Sequence, residues 1–198
     1  MKTVNKKLMA LAVAGTLGMG SVSAMADISG NVAYVSDYVW RGVSQTANQP
    51  TVQGGFDYSK DELSIGTWAS GLDVGGTEFD VYGSYNFGPV TVGAIAYIIT
   101  AGGSSSTAYE INAGGDVGPV SLMVSYDPDA ANYYAEGSYS YELSKGVSLD
   151  LHAGTGDAAG TDYSLGLSTS AAGLDFAVVG ANHDTAGSVA FVSVSKSM

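Results

Sequence analysis

From about residue 30 onward, apolar and polar residues alternate with period two, the spacing of strands that show one face to each of two environments. Helical periodicity is hard to find anywhere. The alternation predicts twelve strands, over 30 to 42, 50 to 59, 63 to 72, 78 to 87, 90 to 99, 108 to 117, 120 to 126, 132 to 143, 147 to 154, 162 to 170, 174 to 182 and 187 to 196.

Five connections are short, at Lys60-Asp61-Glu62, Gly88-Pro89, Gly118-Pro119, Ser144-Lys145-Gly146 and Ala171-Ala172-Gly173, and recur at roughly 28-residue intervals. Between them fall six longer ones, at 43 to 49, 73 to 77, 100 to 107, 127 to 131, 155 to 161 and 183 to 186. Strict alternation of long and short connections predicts an up-and-down barrel with long loops at one end and tight turns at the other, both termini lying with the turns. A soluble Greek-key sandwich has no reason to keep that order. The restarts Gly88-Pro89-Val90, Gly118-Pro119-Val120, Gly146-Val147 and Gly173-Leu174 suggest a hairpin repeat, although glycine and proline mark turns in any β protein.

The more apolar parity of each strand places Trp40, Phe79, Tyr109, Tyr126, Tyr133 and Tyr163 toward the loop end, and Tyr58, Phe87, Tyr141 and Phe176 toward the turn end. Two such belts flanking Val92, Ala94, Ala96, Leu122, Val124, Leu149, Leu151, Leu165, Leu167 and Val178 are what a membrane-embedded barrel needs. Aromatic residues also favour strands generally, so their segregation toward strand ends carries the point. The opposite parity is polar and largely acidic. Its pore-lining candidates are Asp37, Arg41, Gln53, Asp57, Glu78, Asp80, Glu110, Glu136, Asp150, His152 and Asp162, with Ser84, Asn112, Ser138, Ser164 and Asp175. So many carboxylates cannot all face a dry core, which predicts a wet lumen.

Composition narrows the reading. Met1 to Lys7 is basic, Leu8 to Gly18 apolar, and Ala24-Met25-Ala26 supplies the small residues of a secretory cleavage site, so residues 1 to 26 are read as a signal peptide and 27 to 198 as one barrel domain. Removing Lys2, Lys6 and Lys7 leaves four basic residues against nineteen acids, a net charge of −15 where the full chain has −12. Such a chain is no partner for nucleic acid. With no cysteine, disulfides and thiolate metal sites are excluded. The longest apolar stretch after residue 26, Ala94 to Ile99, is strand-sized and too short for a spanning helix.

Catalytic chemistry finds poor candidates. Some outer-membrane barrels hydrolyse lipids with a serine and a histidine, but His152 is predicted to point inward and His183 to sit in the loop Asn182-His183-Asp184, neither beside a nucleophile motif. Asp127-Pro128-Asp129 and the loop from Gly156 to Asp162 could offer oxygen ligands to calcium, yet neither matches an EF-hand, and solvated acidic loops explain them. Gly102-Gly103-Ser104-Ser105-Ser106 is read as a flexible loop tip, with no following lysine to make a phosphate cradle. No catalytic, metal or cofactor site is therefore expected. Arg41, the lone base on the inner face away from the chain end, is expected to pair with Asp37 or with a neighbouring strand's acid and shape a constriction, or to be a structural salt bridge only.

The stretch Ser36-Asp37-Tyr38-Val39-Trp40-Arg41-Gly42-Val43-Ser44-Gln45-Thr46, continuing through Pro50 to Gln53-Gly54-Gly55-Phe56-Asp57-Tyr58, resembles the opening hairpin of the TorF family of porins, also described as the Gcw_chp outer-membrane proteins. The likeness is dense over residues 29 to 60 and looser through Trp68 and Glu78-Phe79-Asp80-Val81-Tyr82. It implies a single outer-membrane barrel for passive solute passage and brings no catalytic residues. The chain ends Val194-Ser195-Lys196-Ser197-Met198, without the terminal aromatic residue of many such barrels.

Together these features predict an all-β, transmembrane, antiparallel up-and-down barrel in the outer membrane with periplasmic termini. Its expected role is a narrow, cation-leaning channel for small polar or cationic solutes. Outer-membrane lipid is its other partner, and its oligomeric state is left open. The alternative is a structural or surface-interaction barrel with a plugged lumen, and an outer-membrane hydrolase ranks below both. Gly42 is expected to allow tight packing or an unusual backbone angle, and residues 41 to 53 to form an ordered loop covering or constricting the mouth.

Overall fold

The structure, a computed structural model, describes residues 27 to 198, so the expected signal peptide over 1 to 26 lies outside the described residues. Twelve strands form one closed antiparallel barrel: β1 (Asp27–Val35), β4 (Thr51–Lys60), β5 (Leu63–Gly71), β6 (Thr77–Asn86), β7 (Thr91–Ala101), β8 (Ser104–Val117), β9 (Val120–Asp127), β10 (Asn132–Ser144), β11 (Val147–Gly156), β12 (Gly160–Ala171), β13 (Leu174–His183) and β14 (Gly187–Ser197). Each strand pairs with its sequence neighbours, and β1 closes the ring by pairing antiparallel with β14 from Asn31↔Ser197 to Val35↔Ser193. The seam is tied at both ends. Gly30 and Met198 exchange N–H···O bonds of 3.1 and 2.8 Å, and Ser36 N–H donates to the Val192 carbonyl at 2.9 Å. Closure leaves no sheet edge to be satisfied by solvent.

Alternation is obeyed around the ring. Outward positions include Phe56, Phe79, Val92, Tyr109, Leu122, Val124, Tyr126, Tyr133, Leu165, Leu167 and Val178, all exposed. Val178 on β13 lies opposite Leu167 on β12 and Val192 on β14, so the aliphatic face is continuous across the seam side of the barrel.

The first predicted strand is the exception. A single strand over 30 to 42 is expected, but β1 ends at Val35, and residues 36 to 50 turn inward as a small hairpin, β2 (Val39–Trp40) with β3 (Val43–Ser44). The segment that covers the mouth is thus 36 to 50; Thr51 to Gln53 already belong to β4. The strict alternation of connection lengths also fails. Beyond the 36-to-50 segment the loops are short, and the expected loop at 100 to 107 is a tight turn at Gly102-Gly103 with Ser104 onward in β8. Serines there continue the ladder, since Ile99↔Ser106 and Ala101↔Ser104 pair directly.

Inside the barrel, two tyrosines use glycine notches to reach across a strand. Tyr82 on β6 lies over Gly66 on β5 and donates from its hydroxyl to Asp57 Oδ1 on β4 at 2.7 Å. Tyr134 on β10 lies over Gly154 on β11 and donates to Asp162 Oδ2 on β12 at 2.6 Å. A side chain at either glycine would stand where the ring now lies. Gly154→Ala is expected to destabilise the barrel by about 1–3 kcal/mol through overpacking, read as a lowered urea midpoint in detergent micelles. Gly180→Ala, where an added methyl meets nothing within 4 Å, is the matched control, expected to stay within ~0.5 kcal/mol of the parent.

Amide exchange distinguishes the inward hairpin from an ordinary loop. Gln45 N–H donates to the Tyr38 carbonyl at 2.6 Å and Tyr38 N–H to Thr46 Oγ1 at 3.1 Å. These two amides are expected to exchange at least about a hundredfold more slowly than those of Gly102 and Gly103. Equal rates would remove the ordered plug.

Candidate functional site

The inward hairpin builds itself from its own polar residues. Asp37 Oδ1 accepts from Ser44 Oγ and Thr46 Oγ1, both at 2.7 Å, cross-bracing the two arms. At the tip, Arg41 (φ 47°) and Gly42 (φ 75°) are both left-handed, as the favoured two-residue hairpin turn requires. Asp73 N–H donates to the Gln45 carbonyl at 3.0 Å and anchors the returning arm to the β5–β6 loop.

The hairpin meets the wall on many sides. Val39 packs with Val179 and Ala181 of β13 and Phe191 of β14. Tyr38 packs with Ala33 and Val35 of β1 and lies edge-on to Trp68 of β5, ring centroids 5.4 Å apart. A Cβ on Gly42 would come within 2.7 Å of Asp162 Cβ and 3.1 Å of His183 Cβ, so only glycine fits that approach. Trp40, expected in the outer aromatic belt, instead lies inside and edge-on to Tyr97, ring centroids 6.0 Å apart. An inward apolar cluster also corrects the expectation of a wholly wet lumen: the loop half is filled by the hairpin, because chain folded inside can bury apolar wall residues that water would leave exposed.

Polar contacts of the hairpin converge on carboxylates. Arg41 makes a bidentate pair with Glu110 of β8, Nη1 to Oε1 at 2.8 Å and Nη2 to Oε2 at 2.9 Å. Tyr97 of β7 donates its hydroxyl to Glu110 Oε2 at 3.1 Å, and the guanidinium lies 4.0 Å from the Tyr134 ring centroid and 4.3 Å from that of Trp40. Beyond Tyr134, Asp162 faces His152 Nε2 at 3.1 Å, and His152 Nδ1 lies 3.6 Å from Glu136. On the other side, Tyr38 donates to the Glu78 carboxylate at 3.2 and 3.3 Å.

Each proposed lumen residue lies on the interior side, but not all by the expected route. Glu78, Asp80, Glu110, Glu136, His152 and Asp162 alternate inward from strands and gather around the hairpin. Asp37 and Arg41 belong to the hairpin itself, and Arg41 pairs with neither Asp37 nor an acid beside the first strand. Gln53 bonds Ser70 at 3.3 Å near the mouth. Asp57 and Asp150 sit toward the turn end, where inward side chains are half-buried; Asp150 accepts from Ser140 and Ser168 at 2.7 and 2.6 Å. His183, expected in a loop, is the buried last residue of β13: its Nδ1 accepts from the Thr185 and Ala186 N–H groups while Nε2 donates to the Ala159 carbonyl at 2.6 Å. That pattern requires the neutral ring, which makes the 3.3 Å approach of Asp184 to Nδ1 incidental and the histidine a loop brace. Sequence reasoning missed Tyr97 and Tyr134 as site residues, although Tyr134 shares the inward parity of Glu136.

Among the described residues, the buried oxygens Asp37 Oδ2 and Asp80 Oδ1 have no hydrogen-bond partner. Asp80 lies in register between Trp68 and Tyr97. Arg41 is the guanidinium of this region and is held by Glu110, so the wall keeps an excess of carboxylates over cations around the hairpin. Asp127, offered above as a calcium ligand, caps its own turn by accepting from the Asp129 and Ala130 N–H groups at 2.8 and 2.9 Å.

Among solved structures, the barrel is similar to the KdgM porin, with a TM-score of 0.57 at 12% identity over 85% of this chain and 98% of that one. A KdgM porin in complex with disordered oligogalacturonate gives 0.56 at 10% identity over 87% and 98%. At such identities the likeness is one of fold. A search of curated protein sequences finds no match. The profile of the Gcw_chp family, described as bacterial proteins of unknown function, matches residues 20–197, far beyond the opening stretch that first carried the resemblance. That near-complete match makes the chain a member of the Gcw_chp family.

Proposed function

We propose that this chain is an outer-membrane porin whose narrow, acidic lumen passes small polar or cationic solutes, with residues 1 to 26 removed on export and both termini in the periplasm. The observation that carries the reading is the interior of the barrel: carboxylates recur on its inward face from β4 to β13, opposed by one guanidinium. In a low-dielectric wall such groups concentrate cations and repel anions. The exposed aliphatic belt between outward aromatic residues supports a lipid setting, and the TorF-like stretch over 29 to 60 points the same way.

The KdgM likeness does not extend to that porin's ligand. An oligogalacturonate is a chain of carboxylates, and the acids of this lumen oppose it. The second reading, a structural or surface-interaction barrel that conducts nothing, is favoured by the filled loop half, where Val39 is 4% exposed and Tyr38 2%.

Planar bilayers separate the two. The refolded chain is expected to give small stepwise conductances with a reversal potential on the cation-selective side in a KCl gradient. Asp57→Asn combined with Asp150→Asn, both half-buried and toward the turn end, should lower the cation-to-anion permeability ratio by at least about twofold. An inserted barrel that stays silent would transfer the assignment to the second reading; conduction with an unchanged ratio would remove these carboxylates as selectivity groups.

A further inference from the structure

The tip of the inward hairpin is built as a ligand. A guanidinium is planar, offers a fork of N–H donors that fits both oxygens of a carboxylate, and stacks its faces on aromatic rings. Arg41 satisfies all three demands against the wall: both Glu110 oxygens are engaged at 2.8 and 2.9 Å, and the Tyr134 ring lies 4.0 Å away. The receiving groups are fixed without help from the hairpin. Glu110 stands on β8 and is steadied by the Tyr97 hydroxyl of β7 at 3.1 Å, while Tyr134 is held across its glycine notch by Asp162. Glu110, Tyr97 and Tyr134 are each at most 9% exposed.

The backbone bearing Arg41 is unusual. At φ 47° it occupies the left-handed region, which favours glycine, asparagine and aspartate at this turn position. A long cationic side chain there is retained against its backbone preference, and its docking with Glu110 supplies the compensation.

We propose that Glu110, Tyr97 and Tyr134 form a binding site for guanidinium-bearing solutes, and that Arg41 occupies it in their absence as a tethered mimic. Arrival of such a solute frees the tip and loosens the hairpin from the lumen. This deepens the porin reading and rests on it for its physiological meaning. Potassium and simple ammonium ions lack the planar fork, so the site distinguishes among cations and does more than attract positive charge. Because the rival guanidinium is tethered, its effective concentration is on the order of millimolar, and a free solute must compete at that level.

The test is binding, read without reference to conduction. Full-length refolded protein in micelles is titrated with methylguanidinium chloride, and with tetramethylammonium chloride at matched ionic strength, following the emission of its two tryptophans, one of which, Trp40, stacks on the Arg41 guanidinium. Arg41→Ala is expected to give a saturable response to methylguanidinium with a midpoint at least about tenfold below that of the unmodified chain, and none to tetramethylammonium. Adding Glu110→Gln should abolish it. Equal midpoints with and without Arg41, equal responses to the two cations, or binding that survives Glu110→Gln would each overturn the proposal. Gel mobility with and without boiling reports folding. Should Arg41→Ala fail to fold, the unmodified chain decides: a guanidinium-selective response absent from Glu110→Gln supports the site, and no selectivity refutes it. Binding in a barrel that never conducts would sink the porin reading and leave the site standing; conduction with no binding would do the reverse.

Discussion

A sheet edge leaves a row of backbone N–H and C=O groups without strand partners, and here closure of β1 on β14 removes both edges. The remaining features follow from it. A closed ring with period-two side chains sorts them into an outer and an inner set with no third choice. Leu122, Val124, Leu165, Leu167, Val178 and aromatics such as Phe56 and Phe79 turn out; the strand carboxylates turn in together with Tyr82, Tyr97, Tyr134, Val179 and Phe191. Twelve strands make the ring wider than one that side chains alone fill, and in the loop half the space is taken up by chain. That chain is residues 36 to 50, directly after the first strand.

That hairpin reconciles two surfaces that would otherwise conflict. The inner wall has an apolar sector, with Val179, Ala181 and Phe191, and a carboxylate sector, with Glu78, Glu110 and Asp162. Val39 answers the first; Tyr38 and Arg41 answer the second. Leaving Glu110 or Arg41 buried without the other would cost roughly 3–5 kcal/mol, so the pair fixes the position of the tip more firmly than apolar contact alone. The unpartnered oxygens of Asp37 and Asp80 show that the match is incomplete.

Most of the barrel was legible in the sequence because alternation in an antiparallel ring is a local signal, readable strand by strand. Residues 36 to 46 were legible as a motif but not as a shape. Period two in Asp37, Val39 and Arg41 looks the same in a strand that continues and in one that folds back into the lumen; the difference lies in Arg41-Gly42, whose left-handed pair makes the turn. Arginine is not the residue that announces such a turn, so the alternation alone puts Trp40 and Arg41 in a strand and Trp40 on the lipid face. Loop lengths misled for a related reason: Gly102-Gly103 reads as the middle of a loose loop, yet two glycines are also the tightest hairpin connection, and the serines beside them pair in register. Partners across the barrel, such as Arg41 with Glu110, leave no trace in spacing at all.

Residues 36 to 50 stand in the lumen, and under the proposed porin reading they set what can pass. The most direct measurement is single-channel conductance after residues 37 to 49 are replaced by a two-residue Asn-Gly turn joining β1 to β4, in a barrel shown by its gel mobility to be folded. A lumen freed of this hairpin should conduct several-fold more current than the parent, since pore current grows with the open cross-section. Conductance unchanged from the parent would mean that the hairpin does not obstruct the path, and the account would be wrong.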